Sequence, residues 1–238
     1  TVEPAASTDT SAAKMTFSCI IPVSAKDKDS QNLKDLIASI KAQDFLQDQI
    51  ETIVVTEGDS ESAKAIGIRR AKGDIIGMFC ADNEIMDIQL FTDVSRYLEY
   101  GNFDGQYPIQ YYHNPNDNSL NRYFALIGGN DPICYYLGKN DRITHYVPLR
   151  RDLLTDYPKS YGCNGTFYKA SAIKATNLND YYPMDNALEV KGIYGFASDA
   201  IWHKTSDNLI TFLLKRYRYA RDLYCNRKRR WKMVDGAE

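Results

Sequence analysis

Over residues 16–85 the apolar positions fall in short blocks separated by polar, helix-periodic stretches. "TFSCIIPV", Thr16 to Val23, is a compact β-rich run stopped by a proline, and it reads as a buried strand. Leu33, Leu36, Ile37 and Ile40 follow at helical spacing, with Ser30 placed to cap the helix start. "IETIVVTEG" is a second buried strand. "SESAKAIGIRRAKG" is a second helix, with Ser60 as its cap and Gly73 as its stop. "GDIIGMFCADNE" is a third strand that ends abruptly in Asp82, Asn83 and Glu84. This β-α-β-α-β alternation predicts an α/β fold, a mostly parallel sheet flanked by helices and joined by right-handed crossovers.

Past residue 85 the pattern loosens. "IQLFTDVSRYLEYG" is a helix closed by Gly101. From Asn102 to about Lys159 the chain is rich in Tyr, Asn, Asp, Gly and Pro, with short segments such as "DGQYPIQYYH" and "HYVPL". "YGCNGTFYK" reads as a Gly-containing strand or turn leading into a short helix from Ala170. "MDNALEVKGI" predicts a helix, "YGFASDAIWH" a strand, and residues 211–238 a basic, aromatic helix.

Composition narrows the class. A chain of 238 residues with 44% hydrophobic positions can bury one sizeable core. A net charge of −2 supplies no global field for nucleic acid or membrane. The charge is unevenly spread, however. Lys215, Arg216, Arg218, Arg221, Arg227, Lys228, Arg229, Arg230 and Lys232 crowd together against Asp222, which leaves the rest of the chain acidic. The five cysteines (Cys19, Cys80, Cys134, Cys163 and Cys225) are odd in number and lack C-x-x-C spacing. That argues for a reducing compartment, against a disulfide framework and against a zinc site. No apolar run approaches the ~20 residues of a membrane span. Residues 1–15 lack an apolar centre of signal-peptide type and read as a disordered leader. The expected location is the cytoplasm or the cytoplasmic face of a membrane.

The chemistry is expected where the strands end, because ligands of an open parallel sheet gather beyond the carboxyl ends of its strands. The first strand ends in Pro22, Val23 and Ser24, the second in Glu57, Gly58 and Asp59, and the third in Asp82, Asn83 and Glu84. Converging there, they would suit a nucleotide. Carboxylate oxygens also suit Mg²⁺ or Mn²⁺, which keep waters and borrow ligands from substrate phosphates. Such an ion would offset charge building on a leaving diphosphate. The competing reading makes Asp82 a helix N-cap with Asn83 and Glu84 in the first turn. No G-x-G-x-x-G follows the first strand and no G-x-x-x-x-G-K-[ST] occurs, against dinucleotide and P-loop phosphate binding.

As an ordered set, "FSCIIPV", "IETIVVTEG" and "AKAIGIRRAKGDIIGMFCADNE" resemble the nucleotide-sugar half of family 2 glycosyltransferases of the GT-A fold. The resemblance covers Phe17 to Glu84 well and the second half more loosely. It implies one catalytic domain over 16–210, with a nucleotide-sugar half at 16–100 and an irregular acceptor half at 101–210. It implies inverting transfer from a UDP- or GDP-sugar to a glycan or lipid-linked acceptor, with a divalent metal held by Asp82 and His203. Pro22, Val23, Ser24, Glu57, Lys64, Arg69 and Asp82 would face the nucleotide. Laid on the family's Asp-x-Asp, the first aspartate falls at Cys80, a departure from the pattern. Cys80, Asn83 and Glu84 would border the donor sugar, and Gly162, Asn164 and Gly165 would form the Gly-rich wall beside it. Those glycines would equally serve a β-bulge. Asp185 stands where similar enzymes carry the carboxylate that takes the acceptor proton; its competing reading is another N-cap.

The segment "FLLKRYRYARDLYCNRKRRWK" interleaves aromatics with cations, as helices at anionic membrane surfaces do. RNA binding and a plainly solvated face compete with that reading, and the expected partners include no nucleic acid. Two other functional classes stay open. One is a nucleotidyltransferase, disfavoured because "IPVSAKDKDSQ" lacks a glycine. The other is a membrane scaffold that kept the fold and lost turnover, which the Cys80 departure supports.

Overall fold

The computed structural model describes residues 15–101, 103–129, 135–136, 161–176, 178, 190, 192–196 and 199–220. The expected alternation is present as β1 (Phe17–Pro22), α1 (Gln31–Lys41), β2 (Ile50–Val55), α2 (Ser60–Arg70) and β3 (Ile75–Met78). Then come β4 (Asn83–Ile85), α3 (Leu90–Tyr100), β5 (Gly105–Pro108), α4 (Ser119–Leu126), β6 (Thr166–Lys169) and α5 (Ala170–Lys174). The last described elements are β7 (Ile193–Phe196), β8 (Ile201–His203) and α6 (Leu209–Ala220).

Six strands form the main sheet in the order β2-β1-β3-β6-β5-β7. β1 runs parallel to β2 and β3, and β5 runs parallel to β7. β6 is antiparallel to both its neighbours, so the sheet is mixed but mostly parallel. Alternation along the strands feeds two cores, one on each face. Phe17, Cys19 and Ile21 of β1 join Leu33, Leu36 and Ile40 of α1 and Phe91, Val94 and Leu98 of α3. Ile20, Ile76 and Met78 turn the other way, onto Ile68, Tyr168 and Ile173. Phe17 stacks on Phe91 with centroids 4.7 Å apart, and Phe167 meets both rings edge-on. Each such buried side chain contributes about 1.5–3 kcal/mol relative to exposure.

Helix starts follow local chemistry. Ser30 caps α1, its hydroxyl accepting from the Leu33 N–H at 3.3 Å. On α2 the Asp59 carboxylate, one residue before the expected Ser60, accepts from the Ser62 N–H at 2.9 Å. The helix also ends at Arg70, short of Gly73. Gly67 is required by close approach: a Cβ there would stand 2.3 Å from Ile20 Cγ2.

One competing reading and one expectation are corrected. The reading that made Asp82 a helix N-cap falls, because Asp82, Asn83 and Glu84 do not start a helix. Asn83 to Ile85 form β4, which pairs antiparallel with β8 as a separate ribbon: Asn83 opposite His203, Glu84 opposite Trp202, Ile85 opposite Ile201. "YGFASDAIWH" is not one strand but two, β7 in the main sheet and β8 in the ribbon. A chain running between two sheets needs a break, and periodicity alone does not show it. The first 14 residues, "HYVPL", residues 221–238 and most of "MDNALEVKGI", Asp185 included, lie outside the described residues.

Candidate functional site

The site begins where β3 stops. The Phe79 N–H still bonds the Ile20 carbonyl (3.0 Å), and the backbone then reverses, Asn83 N–H to Cys80 C=O at 3.0 Å. The Asn83 side chain braces this turn by accepting from the Cys80 N–H at 2.8 Å. Asp82 therefore projects from a tight turn between the main sheet and the ribbon. The Lys204 N–H bonds the Asp82 carbonyl at 2.9 Å, which extends the ribbon and brings β8 alongside.

That pairing joins Asp82 to His203, 121 positions later in the numbering. His203 Nε2 lies 3.5 Å from Asp82 Oδ1, and Lys215 Nζ, on α6, lies 3.8 Å from Oδ2. Asp82 Oδ1 is buried and has no hydrogen-bond partner among the described residues. Burial opposes ionisation of Asp82, but the His203 ring and the Lys215 ammonium outweigh it and hold the carboxyl below the usual carboxylate range.

Behind this pair runs a buried amide chain whose direction is fixed at one end. Because Asn83 Oδ1 is committed to a backbone N–H, its Nδ2 must face Asn164, donating to Oδ1 at 3.2 Å. Asn164 Nδ2 then faces the Tyr111 hydroxyl at 3.2 Å and His203 Nδ1 at 3.4 Å. With the Asn164 N–H pointed at Nδ1, the arrangement puts an N–H of His203 Nε2 toward Asp82. Tyr111 also meets the His203 ring edge-on at 5.4 Å. Gly165 lets the loop approach β8: its φ is +79°, and a Cβ would stand 2.7 Å from Ile201 Cγ1.

The other expected residues divide. Cys80 and Cys163 bring their sulfurs to 3.0 Å. The Cys163 contact and burial push the Cys80 thiol up, while nearby Lys64 pulls it down. Lys64 is thus at the site and buried rather than on a solvated face. Val23 is buried, its N–H bonded to the Val55 carbonyl at 2.9 Å; Pro22 is half-buried and Ser24 exposed at the same edge. Glu57 stands at that edge too, paired with Arg70 at 2.8 Å. Glu84 points away from Asn83 by strand alternation and pairs with Lys204 at 2.8 Å, while Lys204 also reaches Asp35 at 3.2 Å. Arg69 bonds the Leu178 carbonyl at 2.6 Å. Gly162 takes a positive φ of 77° in the loop before β6. Asp185 lies outside the described residues.

Tyr111, Lys215 and Cys163 were not singled out by sequence. Lys215 carried a signal only as one member of the basic run, and Cys163 only as a small apolar residue. α4 fixes the far side: Trp202 Nε1 donates to Asp117 Oδ2 at 2.7 Å, and the Ser206 N–H bonds Asn121 Oδ1 at 3.0 Å.

The α/β fold, with its six-stranded, mostly parallel sheet, matches that of solved glycosyltransferases. The chain is similar to mannosyltransferase PcManGT from Pyrobaculum calidifontis in complex with GDP-Man and Mn2+. The TM-score is 0.54 at 10% identity, over 93% of this chain and 67% of that one. It is similar to S. aureus TarS (TM-score 0.53, 10% identity), over 79% of this chain and 36% of TarS, so it spans about a third of that protein. TarS 1-349 in complex with UDP-GlcNAc gives a TM-score of 0.53 at 11% identity, over 84% and 61% of the two chains. No protein-family model and no curated protein sequence matches.

Proposed function

We propose that this chain is a glycosyltransferase of the family 2, GT-A type. It would move a sugar from a UDP- or GDP-sugar to an acceptor hydroxyl with inversion. The observation that carries the reading is the Asp82 carboxylate at the carboxyl edge of a glycosyltransferase-type sheet, its buried Oδ1 met only by the long 3.5 Å contact from His203 Nε2 among the described residues. Neighbours bound to UDP-GlcNAc and to GDP-Man with Mn2+ support it.

A buried carboxylate oxygen held only by a 3.5 Å contact has coordinating capacity left over, and a divalent ion is a ligand that suits it. Among the described residues no group of three His, Cys, Asp or Glu side chains could hold an ion unaided. Mg²⁺ or Mn²⁺ would therefore need one or two carboxylates here together with substrate phosphates and water. Bound there, the ion would supply charge stabilisation for the departing diphosphate. Asp82 is the residue that would hold it. His203, expected from the sequence as a second ligand, carries its Nε2 proton toward the site and fits better as a hydrogen-bond donor to Asp82 or a phosphate oxygen. Lys215 adds a cation on the same side. The Pro22 to Ser24 turn, Glu57 and Lys64 would receive the nucleoside and its phosphates. Cys80, Asn164 and the two glycines would line the sugar. The base role of Asp185 rests on the sequence resemblance.

A surface reading accompanies this one. α6 buries Phe212 against Phe124 and Ile127 but exposes Leu209, Ile210, Leu213, Leu214 and Tyr217. These apolar positions share the helix with Lys215, Arg216 and Arg218, the combination that binds anionic bilayer surfaces. No described helix is long and apolar enough to cross a membrane. Vesicles with anionic lipid should retain the protein at low salt and release it at high salt; equal retention on neutral vesicles at high salt rejects the surface.

The central test is a thermal-shift panel of nucleotide-sugars with and without Mn²⁺, followed by donor hydrolysis. A ligand that binds only the folded state raises the unfolding temperature. One UDP- or GDP-sugar should do so in a Mn²⁺-dependent way and be hydrolysed slowly. Absence of any nucleotide-dependent shift overturns the reading; binding without turnover favours the scaffold.

A further inference from the structure

We propose that Cys80 and Cys163 form a modification site beside the donor pocket, a thiol pair that a low-molecular-weight disulfide converts reversibly into an intramolecular disulfide. The two sulfurs lie 3.0 Å apart although the residues are 83 positions apart in sequence. A disulfide needs about 2.05 Å, so closure requires roughly 1 Å of approach.

The backbones on both sides are already held. The Gly165 N–H bonds the Met78 carbonyl at 2.8 Å, prolonging the β3–β6 ladder toward the cysteines. The Cys80 N–H is fixed to Asn83 Oδ1 at 2.8 Å, and the Gly162 carbonyl accepts from the Thr166 hydroxyl at 3.0 Å. Both cysteines are half-buried, unlike Cys19, which is fully enclosed in the core. The pair is thus partly open to a small disulfide and Cys19 is not, and with the Cys80 thiol held up the exchange is expected to be slow at neutral pH. The cysteine pattern argues for a reducing compartment, where a disulfide acts as a transient switch rather than a staple.

The chemistry is thiol–disulfide exchange. One of the two thiolates attacks a sulfur of oxidised glutathione, forming a mixed disulfide and expelling one glutathione thiolate. The second cysteine thiolate attacks the protein sulfur of that mixed disulfide and expels the other. Two protein thiols are oxidised, and one glutathione disulfide is reduced to two glutathiones, which take up the two protons.

The consequence rests on the donor-site reading above. Cys80 opens the turn that presents Asp82, and Cys163 precedes Asn164, which faces His203. Drawing the sulfurs together shifts Asn164 against His203, so the oxidised form should bind nucleotide and Mn²⁺ more weakly, by about fivefold.

The test separates the two claims. The full chain is equilibrated with oxidised glutathione, digested without reduction and mapped by mass spectrometry. A reductant-reversible Cys80–Cys163 cross-link is expected, absent in Cys80→Ser and in Cys163→Ser. Recovery of the two residues as thiols, or only as separate glutathione adducts, overturns the site. Calorimetry with UDP or GDP and Mn²⁺ is then run on reduced and cross-linked protein. Equal affinities overturn the coupling. If neither nucleotide binds the reduced protein, the donor reading fails while the cross-link result still decides this proposal.

Discussion

The main sheet and the β4–β8 ribbon share one chain but obey different rules. In the main sheet, β1 and β3 are apolar on both faces apart from Ser18, whose buried hydroxyl is hydrogen-bonded to Glu51 and to the Lys72 and Gly73 N–H groups. The ribbon has three residues per strand and mixes polar with apolar on both faces: Asn83 and Ile85 turn inward, Glu84 and Trp202 outward to a lysine and an aspartate. The sheet supplies free energy, and on the proposed reading the ribbon supplies the chemistry. Asp82 sits at the junction, where rigid backbone presents a carboxylate that packing alone would not tolerate. Replacing residues in one region should therefore change stability, and in the other activity, with little exchange between them.

The sharpest break of that division is Asp82→Asn. The amide removes the charge that would hold an ion, and turnover should fall at least about 100-fold, while unfolding stays cooperative. The pH dependence gives a second readout. The Asp82 carboxyl is lowered in the folded state, so its pairing contributes stability above the unfolded value. That contribution is lost as pH falls through the lowered folded value. The acid limb of the stability curve should be shallower in the Asn variant. Wild-type turnover in Asp82→Asn would remove the ribbon junction from the mechanism.

Gly67→Ala tests the other region. Its Cβ would enter the space of Ile20, which is fully buried. Overpacking of this kind costs about 1–3 kcal/mol, measured as a lower denaturation midpoint. Nucleotide affinity of the remaining folded protein should match wild type; a large loss of affinity would mean that the sheet and the site are coupled more tightly than the packing suggests.

The same division explains what could be read in advance. β1, α1, β2, α2 and β3 were legible because each is a local apolar pattern with its own cap or stop. The polar end of β3 at Asp82 was legible because a carboxylate closing a buried strand is out of place in a core. The ribbon was not legible. Three residues carry no period, and the partner strand lies more than 100 positions away, so Asn83 and Glu84 looked like the first turn of a helix. His203 was singled out through a family resemblance, but its proton was not: the tautomer depends on Asn83 and Asn164, which only the fold brings together. The Cys80–Cys163 contact had no local signal at all. A departure from the expected motif at Cys80 marked the position, and its meaning waited on the loop before β6.

The amide chain can be reversed. In Asn164→Asp the carboxylate has only acceptors, so it accepts from an N–H on His203 Nδ1 and from the Tyr111 hydroxyl, to both of which Asn164 presents its Nδ2, and keeps the bond from Asn83 Nδ2. The Nε2 lone pair then faces Asp82, and His203 becomes able to ligate. Outer partners of this kind alter metal affinity by roughly 10–100-fold. Mn²⁺ affinity without donor should rise about tenfold, and the ¹⁵N shifts of the two ring nitrogens should exchange. Unchanged ring shifts would show that Asn164 does not set the tautomer.

Glu57→Gln is the mildest change and the most discriminating for the nucleotide edge. Glu57 and Arg70 are both more than half exposed, and an ion pair of that kind is screened by solvent and contributes little. If the pair were only a surface contact, neither melting temperature nor ligand affinity would move. If Glu57 receives the nucleoside, its carboxylate accepts from ribose or base in exchange for Arg70, and the amide can replace only part of that acceptance. Nucleotide affinity should then fall about threefold with melting temperature unchanged, a pattern that burial and packing cannot produce, because neither region loses a buried atom.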